Sequence, residues 1–107
     1  MIQALGLDLS LACTGVAAVD GSLLSIRPKA GASAPARRLH EMVSRLHPHL
    51  GVADVAVIEG YNPGGRQGFT MARIAELGGV IRMRLWELDV PYVEVPPATV
   101  KKFATGS

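Results

Sequence analysis

Asp8 and Glu59 are the residues of this chain best suited by type and setting to chemistry. Each breaks an otherwise uncharged apolar run, Leu5-Gly6-Leu7-Asp8-Leu9-Ser10 and Val55-Ala56-Val57-Ile58-Glu59-Gly60. A carboxylate in such a run carries a desolvation cost, which points to a compensating role. If the two runs are neighbouring strands, both acids emerge at one edge of the sheet, at the strand C-termini where open α/β folds build their sites. Two carboxylates that close repel unless a cation sits between them. An all-oxygen pocket of this kind suits Mg²⁺, with Mn²⁺ as an alternative, rather than zinc. Metal-assisted phosphodiester cleavage is the chemistry such a pair supports. Either acid taken singly also reads as a cap on the turn that follows it.

The elements that would position these acids are legible from patterning. Ile2 to Leu9 reads as a buried strand, Thr14 to Val19 as a second and Ser22 to Ile26 as a third, with Asp20-Gly21 as a hairpin turn. Ser10 to Cys13 makes the first connection of this meander. After a Pro/Gly/Ala/Ser linker from Arg27 to Pro35, Leu39, Met42, Val43, Leu46 and Leu50 trace an amphipathic helix from about Ala36, ended by Pro48 and Gly51. Val52 to Glu59 is apolar on both faces, as a central parallel strand should be. Gly60 to Gly68 is a glycine-rich loop, and a second helix follows through Met71, Ile74, Gly78, Ile81, Leu85 and Leu88, with Thr70 as its N-cap. Gly78-Gly79 inside that helix costs roughly 1–2 kcal/mol relative to alanines and suggests close approach of another backbone, from the sheet or a second subunit. Pro91 to Val95 is a fifth strand, and Pro96-Pro97 opens a last helix through Val100, Phe103 and Ala104. The order β-β-β-α-β-α-β-α predicts an α/β fold, a mixed five-stranded sheet with helices on both faces.

The 107 residues support one domain, with roughly 60% of the unfolded surface buried on folding and no need of metal or disulfide staples. A single cysteine makes no internal disulfide, so a reducing, cytoplasmic setting is expected. No basic-then-apolar leader opens the chain, and no run approaches about 18 apolar residues, so no membrane is expected. The net charge of +2 names no partner by itself. Its distribution is more informative: Arg27, Lys29, Arg37, Arg38 and Arg45 face only Glu41 over one short stretch. That cluster suits a polyanion, or is a solvated basic helix face.

Other candidates are discounted. His40, His47 and His49 lack a cysteine or a fourth ligand and read as solvated helix-end histidines. Cys13 has no basic neighbour to activate it. Met83 and Trp86 read as packing or interface residues, and the loop after Glu59 lacks the Gly-Lys-Ser/Thr ending of a phosphate-binding loop. No small-molecule cofactor is called for.

The segment Gly6-Leu7-Asp8-Leu9-Ser10-Leu11-Ala12-Cys13-Thr14-Gly15 resembles the opening motif of RuvC-type Holliday-junction resolvases, of the ribonuclease-H-like superfamily. Val55 to Gly60 is similar to their second acidic strand, and Glu76-Leu77-Gly78-Gly79-Val80 to the middle of the helix that follows. Val93-Glu94-Val95-Pro96-Pro97-Ala98-Thr99-Val100-Lys101-Lys102-Phe103-Ala104-Thr105-Gly106 is similar to the fifth strand and basic helix of phage-type relatives. The resemblance runs along essentially the whole chain, in order. It implies a ribonuclease-H-like fold, with Asp8 and Glu59 as catalytic and metal-binding residues. It implies DNA contacts from Lys101 and Lys102, with Tyr61, Arg66 and Phe69 in and behind the loop after the second acid. Tyr61 either stacks on unpaired bases or folds back onto the core.

The resemblance therefore implies a metal-dependent endonuclease of branched DNA, four-way junctions in particular, working as a homodimer in a bacterial or phage-infected cell. Its members place one or two further acids on a helix beyond the stretch matching Lys101 to Ser107. On that comparison the chain is a truncated form, or a short form that binds without cutting. Two other readings stand beside it: a non-catalytic DNA-binding and dimerising module, and an actin-like ATPase fragment whose first phosphate loop Asp8 to Gly15 would mimic.

Overall fold

The computed structural model describes residues 1–31, 33–59 and 68–95. Its elements are β1 (Ala4–Asp8), β2 (Thr14–Ala17), β3 (Leu23–Ile26), α1 (Pro35–Gly51), β4 (Val55–Glu59), α2 (Gly68–Glu87) and β5 (Tyr92–Val95). The strands form one mixed sheet in the order β3-β2-β1-β4-β5. β1 and β2 pair antiparallel, as do β2 and β3, whereas β4 lies parallel to both β1 and β5. The fifth-strand and meander expectations hold, and β4 sits between two parallel neighbours as its uninterrupted apolar run required.

The hairpin between β2 and β3 turns where Asp20-Gly21 predicted. Gly21 takes φ +90°, which a side chain would resist, and the Asp20 carboxylate accepts from the Ser22 amide at 2.9 Å and its hydroxyl at 2.6 Å. At the far end of α2, Asp89 takes the left-handed conformation (φ 58°) and the Val90 amide donates back to Leu85 at 2.9 Å, stopping the helix and aiming the chain into β5.

Register sorts the side chains of the sheet onto two faces. Leu5 pairs with Ala56, and Leu7 with both Val16 and Ile58, so these residues share one face. All are buried, together with Met42, Leu46 and Leu50 at four-residue spacing on α1 and Leu77, Ile81 and Leu85 on α2. Both described helices thus pack into one core against the same face, and they touch each other. The other face carries Gly6, Asp8, Val57, Glu59, Val93 and Val95.

Three expectations need correction. Pro48 lies inside α1 rather than ending it, because only the last turn follows and the helix closes at Gly51. Thr70 is within α2, whose described part begins at Gly68, so it is no N-cap. Among the described residues no backbone of the sheet lies within 4 Å of a Cβ placed at Gly78 or Gly79, which removes the sheet as the approaching backbone and leaves the second subunit. A Cβ at Gly78 would meet the Arg82 guanidinium at 3.0 Å and the Leu9 side chain at 3.9 Å, and Gly79 faces open space. The last helix expected after Pro96-Pro97 lies outside the described residues.

Candidate active site

The β1–β4 ladder runs from Ala4↔Val55 to Leu7↔Ile58, so the next rung sets Asp8 beside Glu59 at the ends of both strands. Their backbones are about 4.8 Å apart, the spacing of adjacent strands. The condition set on the two apolar runs, that they be neighbouring strands, is met by the parallel pairing of β1 with β4. Both residues are partly buried, and the Oε2 atom of Glu59 is fully so. Across β1 on its other side, Asp8 pairs with Gly15, where a Cβ would stand 3.5 Å from that of Asp8. Glycine there keeps one flank of the carboxylate free of side chain.

The connection that follows Asp8 is held by Thr14, the one buried polar residue among those described. Its hydroxyl donates to the Ser10 carbonyl at 2.7 Å and accepts from the Ser10 amide at 3.1 Å. One side chain thereby satisfies both backbone groups of a residue that has left the sheet. Sequence reading treated Thr14 only as part of a motif. The available signal was a threonine opening a strand four residues after a serine, a spacing that allows a side-chain-to-backbone clasp.

Glu59 also borders an open groove of about 560 Å³ between α2 and the ends of β4 and β5. Leu9, Ile58 and Ile74 give it apolar walls, while Arg82 and Glu94 bring charge. Arg82 Nη1 lies 3.0 Å from Glu94 Oε1 and links α2 to β5. Asp8 does not line this groove. Neither Arg82 nor Glu94 is among the site residues read from the sequence. Glu94 could have been found from its alternation with Tyr92 on β5, which pairs it with Ile58 on the face towards the helices.

The other acids of the second half lie elsewhere: Glu76 pairs with Arg73 at 3.2 Å and Glu87 with Arg84 at 3.2 Å, all on α2. Among the described residues no group of three or more histidine, cysteine, aspartate or glutamate side chains converges. Phe69 falls in the first described turn of α2. Tyr61, Arg66, Lys101 and Lys102 lie outside the described residues. No described helix is long and apolar enough to cross a membrane.

Comparison with solved structures finds the same fold. The RuvC of Thermus thermophilus in complex with a Holliday junction substrate superposes with a TM-score of 0.72 at 17% identity, over 92% of this chain and 67% of that one. A second Thermus thermophilus RuvC structure gives a TM-score of 0.70 at 20% identity, over 95% and 68% of the two chains. No family model and no curated protein matches the sequence. The chain has the RuvC-like, ribonuclease-H-like fold.

Proposed function

We propose that this protein is a metal-dependent, structure-specific endonuclease of branched DNA, with the four-way junction as its substrate. The observation that carries this reading is the parallel β1–β4 ladder, whose last rung, Leu7↔Ile58, is followed on the two strands by the carboxylates Asp8 and Glu59. The RuvC-like fold supports it, and so does the junction DNA bound to one of the superposed proteins.

The donor set fits a hard divalent cation, because the pair offers oxygens only and two partly buried carboxylates this near need a counter-charge. Asp8 and Glu59 would hold Mg²⁺ or Mn²⁺. Such an ion supplies a Lewis acid for the phosphate and a water made nucleophilic at neutral pH. The chain's own part is to fix geometry. The sheet ladder sets the separation of the carboxylates, and the Thr14 clasp holds the backbone just beyond Asp8. Arg66, Lys101 and Lys102 are proposed to contact backbone phosphates, and Tyr61 and Phe69 to stack on bases opened at the junction.

Cutting symmetrically opposed strands requires two sites related by a two-fold axis, hence a homodimer. Gly79, Met83 and Trp86 follow one another at helical spacing on α2 and are exposed, Trp86 by 77%. This stripe is the surface we assign to the second subunit, and Trp86→Glu should convert a sedimenting dimer to monomer.

The deciding experiment incubates a labelled immobile junction and a plain duplex with the protein, with Mg²⁺, with Mn²⁺ and with chelator. Metal-dependent cleavage of the junction alone, lost in Asp8→Asn, supports the proposal. Binding without cleavage under either metal would favour a second reading, a DNA-binding and dimerising module. That reading draws on the absence of a third converging ligand among the described residues.

A further inference from the structure

The basic cluster of the first half has no part in the site described so far, yet topology carries it to the same sheet edge. β2 runs against β1 and β3 against β2, so β3 points the same way as β1. Asp8 pairs with Gly15 and Gly15 with Ser25, which sets the end of β3 on the Asp8 rung, two strands and roughly 10 Å away. Arg27 and Lys29 leave the sheet there. α1 starts from the same side, since it must return the chain to the opposite edge, where β4 begins.

Two side chains of α1 bind this segment down. The Glu41 carboxylate accepts from the amides of Lys29 at 2.8 Å and Ala30 at 3.0 Å, and Arg45 donates to the Arg27 carbonyl. Glu41 is the only acid between Asp20 and Asp54, so its charge is committed to those amides and to Arg37, 3.5 Å away. The side chains of Arg27, Lys29 and Arg38 have no ion pair or hydrogen bond to any described residue. Arg37 and Arg38 also stand in the first turn of α1, at the end where the helix dipole disfavours cations and welcomes anions. Arg27, Lys29 and Arg38 thus gather where β3 ends, on the sheet edge at which β1 also ends, with no ion pair to a described residue.

We propose that Arg27, Lys29 and Arg38 hold the backbone phosphates flanking the cut, on the β3 side of the site. Successive phosphates of a strand laid along the sheet edge from Glu59 past Asp8 would arrive over this shoulder. The DNA path would then extend across the sheet away from β5, the strand that precedes Lys101 and Lys102 in the chain. The assignment rests on the nuclease reading for what the phosphates belong to. It differs from that reading in its test.

The test measures junction affinity against salt for the wild type, for the triple variant Arg27→Ala/Lys29→Ala/Arg38→Ala and for Arg84→Ala, whose guanidinium pairs with Glu87 on α2. Each lost phosphate contact lowers the slope of log affinity on log salt by about 0.9. The triple variant should therefore lose roughly 40-fold less affinity than the wild type between about 50 and 200 mM salt, and Arg84→Ala should keep the wild-type slope. An unchanged slope in the triple variant overturns the assignment, whatever the wild type cleaves. Wild-type protein that binds with a slope set by these residues but never cuts upholds the assignment and overturns the nuclease reading. Wild-type protein that binds no DNA overturns both.

Discussion

The Thr14 hydroxyl closes a two-way hydrogen bond on Ser10, donating to its carbonyl at 2.7 Å and accepting from its amide at 3.1 Å. Ser10 is two residues past Asp8, so this clasp fixes where the chain goes as it leaves the first acid. Thr14→Val keeps the shape of the side chain and leaves both Ser10 backbone groups without that partner. The expected cost is about 1–3 kcal/mol, read as a lower urea midpoint at unchanged m. If the clasp positions Asp8, junction cleavage at saturating DNA falls with it, and Thr14→Ser restores the rate. A Thr14→Val protein as stable and as active as the wild type would show that the clasp positions nothing.

Asp8→Asn and Glu59→Gln separate binding from catalysis. Each removes a charge from the pair while keeping its size, so the fold and the affinity for junction DNA without metal should hold. Loss of cation binding removes several kcal/mol of transition-state stabilisation, on the order of a thousandfold in rate. The double variant should be scarcely worse than either single one, because both acids serve one ion site. Independent, multiplying losses in single-turnover rates would contradict a shared site.

Glu41 makes the β3–α1 shoulder sensitive to acid. The Ala30 amide, then that of Lys29 and the Arg37 guanidinium, stabilise the ionised carboxylate and hold its pKa below the ordinary 4.5. A group depressed in this way stabilises the folded chain fully above its unfolded value, and the contribution fades as pH falls through the lower folded one. Protection of the Lys29 and Ala30 amides against hydrogen exchange should therefore be constant near neutrality and drop once pH passes below about 4.5. Glu41→Ala should show the low protection at every pH. Protection that persists in Glu41→Ala would mean that the segment is held by something else.

The strand ends were legible because they follow from local rules, whereas bringing Asp8 next to Glu59 required the non-local pairing of β1 with β4. Asp20-Gly21 demands a hairpin, and an apolar run without alternation demands a buried parallel strand. The pairing of Arg82 with Glu94 was not, since it joins residues on a helix and a strand whose register depends on how β5 adds to β4. Pro48 misled for a related reason. A proline marks where a helix loses a hydrogen bond, but the apolar face ending in fully buried Leu50 keeps the last turn folded. Of the two neighbours the glycine pair allowed, the sheet is the one the structure removes, because glycine signals room without saying what fills it.

Gly78 and Gly79 give that last point a quantitative form. A methyl group at Gly78 would stand 3.0 Å from Arg82 Nη1, the mobile end of a long side chain, whereas one at Gly79 would meet nothing within 4 Å. Gly79→Ala should then gain the full helix-propensity difference, about 1 kcal/mol. Gly78→Ala gains the same but displaces the guanidinium from Glu94. With side chains 31% and 51% exposed, that ion pair contributes at most about 1 kcal/mol, so Gly78→Ala should be nearly neutral in urea unfolding. The Arg82–Glu94 coupling in a double-mutant cycle should also shrink towards zero in the Gly78→Ala background. A loss of about 3 kcal/mol or more in Gly78→Ala would instead mean that backbone, not a flexible side chain, occupies the space beside this helix, as the glycine pair alone had suggested.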